Sequence, residues 1–174
     1  MPVSRSGHRH LGANRSHCAN VGPYSLGRAF SRSEPDLCAG DVSLILSMIV
    51  GSGIDLVEIT RIQQSVQRFG QRFLNRVYTP SEQAYCLRKR NSAESLAARF
   101  AAKEAGAKAL GTGISRGVSW LEIEVVREPS GRPTIQFHGR AGDIARELGV
   151  AHVALSITHT GTLSMASVVV EKLP

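Results

Sequence analysis

The 174-residue sequence has few cysteines, few aromatic residues and no long apolar run. Its three cysteines are widely spaced and form no CxxC pair, which argues against a disulfide framework or a zinc site and favours a reducing compartment such as the cytoplasm. The longest apolar stretch, residues 44–50, is far shorter than the ~20 residues that a membrane-spanning helix needs. The sequence also lacks a short repeat, a G-x-G-x-x-G motif and a P-loop.

Acidic residues are scarce in the first 47 positions, which hold five arginines, no lysine and only Glu34, Asp36 and Asp41. This segment has no sustained apolar period, so we expect it to be disordered. Its composition is also typical of a transit peptide, although it lacks the apolar core of a secretory signal. We favour a third interpretation, in which Met48 is the native start and residues 1–47 are an upstream extension.

The remaining residues, 48–174, are sufficient for one domain and carry 16 Lys and Arg against 11 Asp and Glu. The apolar pattern predicts the order strand, three helices, two strands, helix, two strands. The predicted strands cover 49–57, 120–126, 134–138, 152–158 and 163–170, and the predicted helices cover 59–70, 80–88, 93–110 and 141–148. This order predicts an α+β domain with a largely antiparallel sheet packed against the long helix. The positive surplus favours acidic partners such as nucleic acid, phosphate-bearing cofactors or acidic proteins.

Two carboxylates stand out in this pattern. Asp55 interrupts the first strand near its end, where it could bind a ligand or cap the next helix. Glu104 follows Lys103, which falls within the apolar stripe of the long helix and is therefore either part of a buried ion pair or part of a site. If Asp55 and Glu104 converge, they suit Mg²⁺ with phosphate oxygens, and Lys103 could neutralise a phosphate. His159, in the last turn, could be a base, a phosphate ligand or a turn residue.

Several arginines follow one side of the first predicted helix. Arg61, Arg68 and Arg72 form either a solvated face or a docking strip for a negatively charged partner. Lys108, in the last turn of the long helix, complements the helix dipole.

The motifs, taken in order, resemble those of the holo-acyl-carrier-protein synthase family, the small bacterial 4′-phosphopantetheinyl transferases. They are Gly53-x-Asp55 followed by Arg61, the sequence RFAAKEA at 99–105, Trp120-x-Glu122-Ile123, Gly131-x-Pro133 and SITHT at 156–160. The resemblance runs from Met48 to the C-terminus. It implies Mg²⁺-dependent transfer of the phosphopantetheine arm of coenzyme A to a serine of apo acyl carrier protein, for fatty acid biosynthesis, with release of adenosine 3′,5′-bisphosphate.

The resemblance also implies roles for individual residues. Asp55 and Glu104 would bind magnesium, Lys103 would assist the leaving phosphate, and the serine proton would pass to water or to a carboxylate. The residues matching coenzyme A contacts are Lys108, Gly131, Arg132, Pro133 and His159. Arg61 matches a carrier-protein contact, whereas Arg68 and Arg72 are assigned to the same acidic partner from helical spacing alone.

Members of this family assemble as trimers with active sites between subunits, so we expect a homotrimer. The apolar segment 168–170 is compatible with burial against another subunit. Two other classes share part of the pattern. A nucleic-acid-binding module would use the arginines, but the sequence has no interleaved aromatic platform. A metal-dependent phosphohydrolase would share the two carboxylates but usually has ligands for a second ion. We therefore expect neither a nucleic acid nor a membrane among the partners.

Overall fold

The computed structural model describes residues 48–114 and 117–173, so the expected extension at 1–47 lies outside the described residues. Strand β1 (Ile49–Glu58) is followed by the helices α1 (Ile59–Phe69), α2 (Gln71–Val77), α3 (Pro80–Leu87) and α4 (Ser92–Ala109). A short 3₁₀ turn (Trp120–Glu122) leads to β2 (Ile123–Arg127), β3 (Pro133–Phe137), α5 (Gly139–Glu147), β4 (Val150–His159) and β5 (Leu163–Lys172). No helix among the described residues is long and apolar enough to cross a membrane.

The strands form two antiparallel sheets. One sheet has three strands in the order β1-β5-β4, and the hairpin of β2 and β3 forms a second sheet by itself. The predicted α+β class and antiparallel pairing are confirmed. The difference from the single predicted sheet arises because β4 pairs with β5 through backbone hydrogen bonds, whereas the Thr134 hydroxyl of β3 reaches β4 by donating to the Val153 carbonyl, 3.1 Å away.

One face of the three-stranded sheet packs on the long helix α4. Every second residue of β5, from Ser164 to Val170, is fully buried, and the alanines of α4 lie opposite them. Val168 and Val170 therefore belong to the core of this chain. The expectation that segment 168–170 lies against a neighbouring subunit is wrong for these two residues, because the strand turns them towards α4.

Strand β1 lies directly against the backbone of α4. A Cβ atom added to Gly51 would stand 2.0 Å from the Ala109 carbonyl oxygen, and one added to Gly53 would stand 2.1 Å from that of Ala105. Only glycine permits this approach. Because alternate residues of a strand share a side, Asp55 faces the same side of β1 as these two glycines.

Local signals in the sequence explain most element boundaries. Thr79 begins α3 with a capping box to Glu82, and the Asn91 side chain caps α4. Gly70, with a positive φ of 52°, separates α1 from α2. Two segments differ in type from the prediction: α2 (Gln71–Val77) lies where no helix was predicted, and residues 120–122 form a 3₁₀ turn where a strand was predicted. There the Ser119 amide donates to Glu122 and closes a 3₁₀ turn before β2 begins.

A charged network holds the core around α4. Lys103 Nζ lies 2.7 Å from Glu82 Oε2, and both side chains are fully buried. The same ammonium donates to the carbonyls of Trp120 and Ile123, at 2.9 and 2.8 Å, and Glu82 Oε1 accepts from the Val125 amide. Burial lowers the pKa of Lys103, against the opposing effect of Glu82. Since an ammonium has three donors, every one is used, and the network joins α3, α4, the 3₁₀ turn and β2.

Replacing Lys103 by methionine should destabilise the protein strongly. The change leaves the Glu82 carboxylate buried without its counter-charge, and removing one partner of such a pair costs about 3–5 kcal/mol. Denaturant unfolding of Lys103→Met measures the loss. The matched control Lys172→Met removes a lysine that is only partly buried, at the end of β5, and should stay near wild type. A loss below about 1 kcal/mol for Lys103→Met would contradict the structural role of the pair.

Candidate functional site

Asp55 lies within β1, opposite Ala166 of β5, and is not a helix cap, because the N-cap position of α1 is Glu58. Its Oδ1 atom accepts from Lys108 Nζ at 2.8 Å, and the same ammonium donates to the Ile54 carbonyl at 3.0 Å. The Asp55 side chain is 17% exposed and that of Lys108 is 48% exposed. This carboxylate therefore already accommodates a positive charge at the surface. Lys108 lies in the last turn of α4, where it complements the helix dipole, and its side chain also reaches across to β1.

The Glu104 carboxylate accepts a hydrogen bond from an indole, whereas Asp55 forms an ion pair with a lysine. Trp120 Nε1 donates to Glu104 Oε1 at 2.8 Å, so the 3₁₀ turn after α4 fixes one oxygen of this carboxylate. The residue after Glu104 is Ala105, whose carbonyl is the one that Gly53 of β1 approaches. The close contact of β1 and α4 therefore places the segments that carry Asp55 and Glu104 side by side.

The donors available to a cation here are two carboxylates. Among the described residues, no group of three or more His, Cys, Asp or Glu side chains could hold a metal ion. Two carboxylates suit Mg²⁺, which prefers oxygen ligands and usually keeps several coordination positions for water and phosphate. The chemistry of Asp55 and Glu104 thus fits a magnesium site that is completed by a substrate.

The structure places Lys103 differently from the sequence-based expectation. Although it precedes Glu104 in the chain, its side chain points into the core and is saturated by Glu82 and two carbonyls. It cannot contact a phosphate bound at the surface. The alternative of a buried ion pair is the correct one, with Glu82 as the partner.

The residues expected to bind coenzyme A do not come together within one chain. Gly131, Arg132 and Pro133 lie at the β2–β3 turn, beside a cavity of about 460 Å³ that also borders the first residues of β4. His159 is at the opposite end of β4, where its Nε2 atom lies 3.3 Å from Glu94 Oε1. At about 3.3 Å per residue, most of a ten-residue strand separates the two places.

A basic cluster that we did not foresee lies close to this turn. Three cations surround the Tyr85 ring: Arg99 Cζ at 4.1 Å, Lys89 Nζ at 4.7 Å and Arg127 Cζ at 5.1 Å from its centroid. Arg127 also donates to the Gly131 carbonyl. The cluster adds positive charge beside the turn. Only tertiary packing brings its members together, so no pattern in the sequence could have identified it.

A second cavity, of about 420 Å³, lies beside α1 and α2. It is lined by Arg61, Phe69, Arg72, Phe73, Arg76, Val77, Phe100 and Trp120. Arg68, predicted to share this strip, instead lies over the Phe69 ring at 5.0 Å. The cavity combines an apolar floor with several guanidinium groups. It therefore suits an acidic surface that presents an apolar side chain.

Comparison with known proteins identifies relatives across most of the described chain. The profile of the 4′-phosphopantetheinyl transferase superfamily matches residues 51–164. The holo-[acyl-carrier-protein] synthase of Koribacter versatilis is 56% identical over 124 residues, covering 71% of this chain and 99% of that protein. That of Maricaulis maris is 52% identical over 133 residues, covering 73% and 92%.

Solved structures agree with the sequence relatives. The holo-[acyl-carrier-protein] synthase of Neisseria meningitidis is similar with a TM-score of 0.65 and 40% identity, covering 72% of this chain and all of that one. The Helicobacter pylori enzyme, solved in complex with coenzyme A, is similar with a TM-score of 0.61 and 36% identity, covering 68% and 98%.

Proposed function

The chain belongs to the 4′-phosphopantetheinyl transferase superfamily, and we propose that it acts as a holo-[acyl-carrier-protein] synthase. In this reaction a serine hydroxyl of apo acyl carrier protein attacks the phosphorus that carries the pantetheine arm of coenzyme A. The serine O–P bond forms, the phosphoanhydride bond breaks, and adenosine 3′,5′-bisphosphate leaves with the electron pair. The observation that supports the proposal is the close contact of β1 with α4, the two elements that carry Asp55 and Glu104.

Asp55 and Glu104 are the residues that would hold Mg²⁺. When bound there, Mg²⁺ would supply charge neutralisation for the diphosphate and for the leaving group. Lys108 now pairs with Asp55, and its half-exposed ammonium can turn from that carboxylate to a phosphate oxygen of coenzyme A. The proton of the serine hydroxyl passes to water or to one of these carboxylates.

The coenzyme A site is proposed to lie between two copies of the chain. The turn at Gly131–Pro133 and His159 lie too far apart along β4 to grip one ligand within a protomer. A neighbouring copy can contribute either its Gly131–Pro133 turn or its His159 to the site if it packs on the face of the three-stranded sheet that α4 does not cover. On that face the alternate residues Ile54 and Leu56 are 57% and 58% exposed, and such an exposed pair of neighbouring apolar side chains is typical of an interaction surface. These features support a homotrimer of the kind that the family resemblance implies.

The arginine-lined cavity is proposed as the carrier-protein dock. Arg61 and Arg72 face it together with Phe69 and Phe73, while Arg68 lies outside the lining. Guanidinium groups would orient the acidic carrier, and the apolar floor would receive a side chain from it. Because Trp120 lines the same cavity and donates to Glu104, a carrier bound here would lie close to the Glu104 carboxylate. The cellular role of the reaction is proposed to be fatty acid biosynthesis in the cytoplasm.

Mass spectrometry of the carrier tests the activity and its carboxylates. With coenzyme A and Mg²⁺, an apo carrier protein should gain one phosphopantetheine group. Asp55→Ala and Glu104→Ala should each slow this gain by at least about a hundredfold, because each removes a cation ligand. The control Glu147→Ala removes an exposed carboxylate of α5 and should keep wild-type rates. Nucleotide release without a gain in carrier mass would identify a hydrolase and contradict the proposal.

Charge reversal at Arg61 tests the dock. Arg61→Glu should weaken carrier binding on the order of tenfold at low ionic strength, and less at 0.5 M salt, because screened charges attract weakly. Coenzyme A affinity, measured by calorimetry, should not change. The control Arg146→Glu reverses an exposed arginine of α5, away from the cavity, and should leave carrier binding intact. An equal loss of coenzyme A affinity in Arg61→Glu would show that Arg61 belongs to another site.

A lysine at position 56 tests the assembly. Leu56→Lys would bury a charge between copies, so the variant should sediment as monomers and lose coenzyme A affinity at least about tenfold. Leu87→Lys, at the exposed end of α3, serves as the control for a new surface lysine. Analytical ultracentrifugation gives the masses. If wild type is itself monomeric, or if monomeric Leu56→Lys binds coenzyme A normally, the shared site is wrong.

A further inference from the structure

We propose that Trp120 is a positioning residue that fixes Glu104 through its indole N–H, so that the affinity for a divalent cation depends on this one hydrogen bond. The inference rests on the proposed function, since it takes Glu104 to be a cation ligand. Its evidence is the 2.8 Å bond from Trp120 Nε1 to Glu104 Oε1.

The hydrogen bond from Trp120 restricts the orientation of the Glu104 carboxylate. A glutamate side chain has several rotatable bonds, and holding it in one rotamer costs conformational entropy. A donor to the charged carboxylate offsets this cost before any cation arrives. Since Trp120 occupies Oε1, the lone pairs of Oε2 remain for an ion. Groups that orient a ligand in this way typically change metal affinity by about 10–100-fold when they are removed.

The indole is itself held in place from the core. The Trp120 carbonyl accepts from Lys103 Nζ at 2.9 Å, and Lys103 is paired with buried Glu82. The indole ring packs on Phe100 of α4, with centroids 6.1 Å apart. The buried ion pair therefore fixes the turn, the turn fixes the indole, and the indole fixes Glu104.

Trp120 also borders the proposed carrier-protein dock. Trp120 lines the arginine-rich cavity, and Arg76 Cζ lies 5.9 Å from its ring centroid. One side chain thus borders the proposed dock and bonds the proposed cation ligand. A role in packing alone would require the ring but not its N–H, and this difference is what an experiment can separate.

Two replacements remove the N–H while keeping a ring. Trp120→Phe is the simple variant. Because Trp120 is the only tryptophan in the sequence, biosynthetic incorporation of 3-benzothienylalanine changes this side chain alone and replaces the N–H by sulfur at nearly the same size. The second replacement keeps the test valid if the smaller phenylalanine ring prevents folding.

The readout is Mn²⁺ binding in the presence of coenzyme A, followed by the electron paramagnetic resonance signal of free Mn²⁺. Both replaced proteins should bind Mn²⁺ about tenfold more weakly than wild type, with an unchanged thermal midpoint for the benzothienyl protein. Raising the Mg²⁺ concentration should partly restore the transfer rate of both replaced proteins, whereas the rate of Glu104→Ala should not respond to it. Wild-type Mn²⁺ affinity in the benzothienyl protein would overturn the role of Trp120 and leave the transferase proposal intact. Full transfer activity in Glu104→Ala would overturn both.

Discussion

The rest of the structure depends on the distance between strand β1 and helix α4. That distance is set by the absence of side chains at Gly51 and Gly53, where a Cβ atom would stand about 2 Å from a helix carbonyl oxygen. Once the backbones are this close, Asp55 on the same side of the strand lies beside the segment of α4 that carries Glu104. The proposed acidic site therefore depends on backbone packing between these two elements.

A second constraint, the buried ion pair of Glu82 and Lys103, acts on the turn that holds Glu104. The buried pair of Glu82 and Lys103 costs desolvation energy, and the remaining hydrogen bonds of both groups compensate it by anchoring four elements. Through the Trp120 carbonyl, this anchor reaches the surface turn whose indole holds Glu104. The charged core is thus part of what orders the surface carboxylate.

Local patterns allowed much of the fold to be predicted. The caps at Thr79 and Asn91 and the break at Gly70 depend on neighbours within a few residues, and each was readable from the sequence. The partner of Lys103 was not, because Glu82 lies on another helix and meets it only through tertiary packing. The same reason explains the separate β2–β3 sheet, the cations around Tyr85 and the inward orientation of Val168.

The order of strands has a consequence for how the protein is made. The central strand of the larger sheet is β5, the last of the described strands, and it pairs on one side with β1, the first of them; its Lys172 amide donates to the Met48 carbonyl. Because β5 follows both of its neighbours in the chain, β1 and β4 have no partner in this sheet until β5 itself has been synthesised. The helices can form early, but the pairing that joins β1 to β4 through β5 is non-local and must form late in folding.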